Sequence, residues 1–173
     1  MDETDRSAKA GVFFQRAREV ASTDNFDYAI DLYLEGLKCA PDADSEGHRK
    51  LRELALVRQG KRSKKPSPME KLKMHGGKTP LQQMLNASCL LAKDPDHLPY
   101  AESLLAACIK GGWYKTAKWI ADLLFQANND SEKPSPNTYV LLKKAYLEID
   151  ETERALAACK KALSLKPQDQ QLS

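Results

Sequence analysis

The sequence predicts an all-α protein, an antiparallel helical-hairpin solenoid, and three observations carry that expectation. Residues 12–41, VFFQRAREVASTDNFDYAIDLYLEGLKCAP, and residues 139–167, YVLLKKAYLEIDETERALAACKKALSLKP, share one layout. Each has an apolar stretch of helical period, a short polar turn, a second apolar stretch rich in small residues, and a closing proline. A third stretch, 98–129, repeats the plan around Gly111–Gly112. Hairpins that cannot bury their apolar faces alone stack on their neighbours, so the whole chain, 1–173, is read as a single helical domain. Such an array argues for a binding scaffold rather than a catalyst.

The first unit spans 10–41. Val12, Phe13, Ala17, Val20 and Ala21 recur at helical spacing, and Ser22 to Asn25 form a polar break able to cap the helix that follows. Phe26, Ala29, Ile30, Tyr33, Gly36 and Leu37 then share a face. Ala29 and Gly36 are small where two helices would cross, and Pro41 stops the second helix. In the third unit, Tyr100, Ala101, Leu104, Leu105 and Cys108 line one helix, and Ala117, Ile120, Ala121, Leu124 and Phe125 line the next. Glycine takes positive φ without a Cβ penalty, which suits a tight reversal at Gly111–Gly112, and Trp113 is expected to pack over that turn. The last unit, 136–167, begins after the Pro134–Pro136 punctuation. Tyr139, Leu142, Ala145 and Tyr146 face inward from its first helix, and Ala155, Leu156, Cys159, Ala162 and Leu163 from its second.

These residues resemble the tetratricopeptide repeat (TPR) family, whose pattern sets aromatic, leucine and small residues in one helix and alanine, aromatic and proline in the next. The matching positions are Phe13, Ala17, Phe26, Ala29, Tyr33 and Pro41; Leu104, Gly112, Tyr114, Ala117 and Ala121; and Leu142, Tyr146, Ala155, Ala162 and Pro167. Together the three copies cover roughly ninety residues. Arg16, Gly36 and the missing proline of the middle copy depart from the pattern. The resemblance implies a superhelix whose first helices line a concave, peptide-binding face. Some relatives clamp a C-terminal carboxylate there with lysine and asparagine. Phe14 and Arg18 stand at those stations here, which argues against that specialisation.

Residues 45–93 read as one divergent repeat, opened by a basic insert at 61–78. Leu51, Leu54, Ala55 and Arg58 lie near one side of a helix over 45–58, and Leu81 to Ala92 form a second helix. The net charge of +3 is unevenly spread. Residues 1–60 carry 9 Lys and Arg against 12 Asp and Glu, and residues 79–173 carry 11 of each. The insert carries seven cations, Lys61, Arg62, Lys64, Lys65, Lys71, Lys73 and Lys78, against Glu70. Its two prolines and two glycines predict a partly disordered loop.

No run approaches the roughly 20 apolar residues of a membrane span, and MDETDRSAKAG is acidic and polar, unlike a secretory signal. Cys39, Cys89, Cys108 and Cys159 are widely spaced within apolar text and are read as reduced, small hydrophobes. The expected setting is cytoplasmic. Gly77-Lys78-Thr79 ends like a phosphate loop but lacks the earlier glycine and a preceding apolar strand. His48, His75 and His97 stand at no metal-ligand spacing, and His97 reads as a surface turn residue. No nucleophile elbow or paired-carboxylate motif occurs. Neither catalytic residues, nor a cofactor, nor a metal is expected.

The function expected is noncatalytic recognition of a protein or peptide partner, with an acidic partner favoured by the exposed cations. Residues placed on the binding face are Gln15, Arg18 and Glu19; Arg49 and Arg52; Glu102 and Lys110; and Lys143 and Lys144. Trp119 is either a partner anchor or packing between units. The competing reading is electrostatic binding of nucleic acid or an anionic membrane through 61–78, although no aromatic residue is interleaved there for base stacking. Homo-oligomer formation through an uncapped terminal helix is a third.

Overall fold

Prolines, glycines and short polar residues divide the chain into nine α-helices and no strand among the described residues. The structure, a computed structural model, describes residues 2–166. Pro167, expected to end the last helix, and the polar tail through Ser173 lie outside the described residues. The chain divides into two compact units, Met1–Thr116 and Ala117–Ser173.

In the first unit, α1 (Glu3–Ala21) starts well before residue 10, capped by Asp2, whose Oδ1 accepts from Asp5 N–H at 2.8 Å. Glu3 and Asp5 in its first turn suit the positive end of the helix dipole. Its inward face is Ala10, Phe14 and Ala17, not the face through Val12, which stands 68% exposed. Phe14 therefore leaves the surface position expected for it. α2 (Phe26–Cys39) explains why: a Cβ on Gly36 would lie 2.3 Å from the Phe14 ring, so glycine there makes room for it. Tyr33 closes the same contact, its ring centroid 6.0 Å from that of Phe14.

After Ala40 the chain makes one wide turn over Asp44–His48, with His48 N–H donating to Ala43 O at 3.0 Å, and enters α3 (Arg49–Gly60). The buried face of α3 is the expected one: Leu51, Leu54, Ala55 and Arg58. The next two helices are α4 (Pro68–Lys73) and α5 (Pro80–Lys93), and α5 packs against α2, α3 and α6 (Leu98–Gly111). Its Met84, Ala87, Ser88, Cys89, Leu90, Leu91 and Ala92 are all buried, making it the centre of the unit. The unit closes on the first residues of α7 (Tyr114–Asp130), where Asp42 Oδ1 accepts from Thr116 N–H at 2.8 Å, a helix cap supplied from far away in sequence.

The insert, expected as a loop, contains a helix. Ser67 and Glu70 form a reciprocal capping box, with Pro68 at the first helical position, and together they nucleate α4 despite the surrounding lysines. Arg58 holds the segment before it: its guanidinium donates to Lys64 O at 2.8 Å, Ser63 Oγ at 3.2 Å and Lys93 O at 3.3 Å, and pairs with Asp27 at 3.0 Å. Asn86 and Gln83 hold the segment after it through the carbonyls of Gly76 and Gly77, at 2.8 and 3.0 Å.

The second unit contains the rest of α7 with α8 (Pro136–Glu148) and α9 (Thr152–Leu165). Asn128 grips the connecting loop through both ends of its amide, donating to Ser135 O at 3.0 Å and accepting from Ser135 N–H at 2.9 Å. Ser135 then caps α8 ahead of Pro136. Asp122 accepts from Tyr146 Oη at 2.7 Å and pairs with Arg154, and Lys118 pairs with Glu151 at 2.6 Å, tying α7, α8 and α9 together. α9 buries Ala155 and Ala158, whereas Leu156 and Leu163, expected inside, are 55% and 46% exposed. Small residues let α9 lie close against its neighbours, and that choice of face leaves the leucines outside.

One local geometry recurs. Asp24, Gly112 and Asp150 each adopt positive φ (61°, 76° and 59°), and each stands two residues before the start of a helix, α2, α7 and α9. The two later turns share a hydrogen-bond pattern as well. Gly112 N–H donates to Ile109 O and Trp113 N–H to Cys108 O; Asp150 N–H donates to Leu147 O and Glu151 N–H to Tyr146 O.

Candidate functional site

The first unit holds a cleft of about 510 Å³ between α5, α6 and the segment that follows α4. Its floor is made by small and apolar residues, the buried Ala87 and Leu90 from α5 and Ala107 from α6, and the exposed Ala106 of α6 also lines it. Alanines on both facing helices leave unfilled the space that larger side chains would occupy. Met74, His75 and Gly76 form one wall. That wall can lie flat on α5 because Gly77 adopts φ +152° and a Cβ there would sit 2.9 Å from Gln83 N. Thr79, whose Oγ1 accepts from Gln82 N–H at 3.2 Å, then starts α5 with Pro80 at its first position.

The rim is polar. Gln83, His97, Tyr100, Ser103 and Lys110 surround the opening, and among the described residues no aspartate or glutamate lines it. The His97 and Tyr100 rings lie 4.3 Å apart, centroid to centroid. Burial raises the Tyr100 phenol above its ordinary range, and the Asp94 carboxylate adds to that shift, so the hydroxyl stays a hydrogen-bond donor at neutral pH. Ser103 Oγ donates to Pro99 O at 3.1 Å and is engaged within its own helix. The cleft thus offers an apolar floor, a cation, two imidazoles and neutral donors. That set suits an apolar anchor flanked by a carboxylate or another anion.

A second hollow, of about 400 Å³, lies beside Arg58. Its charges are largely matched within the fold, Lys61 with Asp24 at 2.6 Å and Arg58 with Asp27. Among the described residues no three His, Cys, Asp or Glu side chains converge as metal ligands, and no helix is long and apolar enough to cross a membrane. The four cysteines are unbonded; Cys89 and Cys108 are buried, Cys39 and Cys159 half-buried. Burial pushes the Cys108 thiol up to about 12.

Of the residues placed on the binding face from sequence, Lys110 lines the cleft. On α1, Gln15 Nε2 donates to Glu19 Oε1 at 3.3 Å, and Arg18 pairs with Glu46 at 3.2 Å. On α3, Arg49 pairs with Asp44 at 3.3 Å, and Arg52 donates to Pro95 O at 2.9 Å, which ties α3 to the turn after α5. Glu102 is half-buried on α6. In the second unit Trp119 is half-buried, Lys143 is half-buried and Lys144 is exposed. Within the insert, Lys61 pairs with Asp24, and Lys65 lies 3.7 Å from Asp94. Arg62, Lys64, Lys71, Lys73 and Lys78 are exposed. Sequence reasoning did not find the contributions of Met74, His75, Gln83, His97 and Tyr100, because the cleft gathers them from three elements. The alanines at 87, 106 and 107 were its one local signal. Compared with protein-family models, with curated proteins and with solved structures, the chain gives no match.

Proposed function

We propose that the chain is a noncatalytic protein-interaction module, a solenoid of TPR-like helical hairpins, that binds an acidic peptide or protein segment in the cleft between α5 and α6. The observation that carries the reading is the composition of that cleft: alanine and leucine beside Lys110, His75 and His97, with no carboxylate lining it among the described residues. An apolar residue of the partner enters the floor, excluding water, and a neighbouring carboxylate meets Lys110 at the edge. The left-handed residue that recurs two positions before α2, α7 and α9 supports the repeat reading, since a shared turn is what duplicated hairpins would retain. The unbonded cysteines fit a reducing compartment, and we place the module in the cytoplasm.

The test is selection of a displayed random-peptide library on the full chain, followed by titration of the enriched peptides. The expected consensus combines Asp or Glu with one large apolar residue. Affinity should drop at least about tenfold with Lys110→Glu, and equally with Ala106→Trp, which fills the cleft from an exposed position. Enriched peptides indifferent to both substitutions would sink the assignment.

A further inference from the structure

The exposed face of α4 combines two features that the cleft does not use. Glu70, the one acid of the basic tract, is turned toward α5: it accepts from Ser67 N–H at 3.0 Å and pairs with Lys93. At 100° per residue this orientation turns Leu72 and Met69 away from the fold. They are 81% and 79% exposed, the highest values among the exposed large apolar side chains. Lys71 and Lys73 flank them around the helix, and exposed Lys64 and Lys78 lie before and after it in the chain.

We propose that α4 is a membrane-contacting tip: Met69 and Leu72 enter the interfacial layer of an anionic lipid bilayer, and Lys71 and Lys73 meet its headgroups. With the Glu70 charge paired to Lys93, the exposed residues Met69, Lys71, Leu72 and Lys73 are all cationic or apolar, the complement of a negatively charged leaflet. The capping box and Pro68 fix the helix before contact, so the apolar pair is displayed without an ordering cost. A protein partner fits this face less well. Protein hot spots lie in packed pockets within interfaces of some 20–30 residues a side, whereas two projecting side chains need no shape complement from lipid. Nucleic acid fits poorly too, because the tract has no stacking aromatic and Met69 and Leu72 gain nothing from phosphates. The tip acts independently of whatever the cleft holds.

Flotation of the full chain with vesicles decides the matter. Vesicles of phosphatidylcholine containing about one-third phosphatidylserine should carry the protein upward, and phosphatidylcholine alone should not. Binding should weaken several-fold as salt rises from about 0.05 M to about 0.5 M. Met69→Ser with Leu72→Ser should lower partitioning at least about tenfold, and Lys71→Gln with Lys73→Gln should also lower it clearly. Both pairs are exposed, so unchanged thermal unfolding verifies that the variants are folded. Absence of binding, equal binding to neutral vesicles, or full binding by the serine variant overturns the proposal. So does a polyglutamate or oligonucleotide complex that weakens as much as the vesicle complex on the serine substitutions, because it assigns the face to a macromolecular partner.

Discussion

Replacing Arg58 should destabilise the first unit more than replacing any of the exposed ion-pair residues. Its side chain is 6% exposed, yet the partner carboxylate, Asp27, is 70% exposed and well solvated. The ion pair itself is therefore worth less than about 1 kcal/mol. What Arg58 supplies is satisfaction of three further acceptors, Lys64 O, Ser63 Oγ and Lys93 O, at a site where its own aliphatic stem is buried. Each hydrogen bond from a charged donor contributes about 1.5–3 kcal/mol, and acceptors near the surface recover part of that by turning to water. Arg58→Ala, which also opens a cavity, should cost about 3–5 kcal/mol. Arg58→Met keeps most of the volume and should cost about 2–3 kcal/mol, while Asp27→Asn should cost less than about 1 kcal/mol. Urea unfolding followed by circular dichroism measures the losses, and hydrogen exchange reports the insert directly. Amides of residues 61–67 should exchange faster in Arg58→Met, because their anchor is gone. A Met variant within about 0.5 kcal/mol of the wild type, with unchanged exchange over 61–67, would show that the insert is held by something other than this guanidinium.

Other perturbations probe other parts of the chain. Asp150→Gly should raise stability by about 0.5–1 kcal/mol, since glycine removes the penalty of positive φ, whereas Gly112→Ala should cost about 1–2 kcal/mol at the corresponding turn; denaturant midpoints separate the two signs. His48 is buried, its Nε2 2.9 Å from Pro41 O, and burial above all lowers its pKa from 6.5 to about 4. A depressed histidine favours the neutral form in the folded state, so its contribution is complete above pH 6.5 and is lost as pH falls towards 4. The loss should reach about 2 kcal/mol by about pH 5 in urea titrations, and His48→Gln should flatten that slope. Glu70 and Glu151, both held below their ordinary range by lysine partners, act in the same direction at lower pH and leave this window to the histidine. Asp42→Ala should cost about 1–2 kcal/mol by uncapping the first turn of α7, and a loss below about 0.3 kcal/mol in thermal unfolding would deny the cap any role.

Local chemistry determined the positions of the helices. Ser135 and Pro136 start α8, Gly112 ends α6, and Leu51, Leu54, Ala55 and Arg58 share the buried face of α3, all readable because capping and helical period act within a few residues. The Ser67–Glu70 capping box was equally present in the sequence, but the two prolines and two glycines of the insert pointed to a loop instead. Period defines a face without saying which neighbour covers it. Val12 and Phe14 are both on α1, and only the room that Gly36 leaves for a phenyl ring selects Phe14 for the interior. Leu156 and Leu163 lie outside because α9 approaches through Ala155 and Ala158. The cleft depended on tertiary structure still more, because His97, Tyr100 and Lys110 follow one another along α6 and its N-cap while His75 and Gln83 come from other segments that only packing brings to them. Hydrogen bonds and steric period reach one helical turn and are written in sequence, whereas a concave surface is the space left over when whole helices pack.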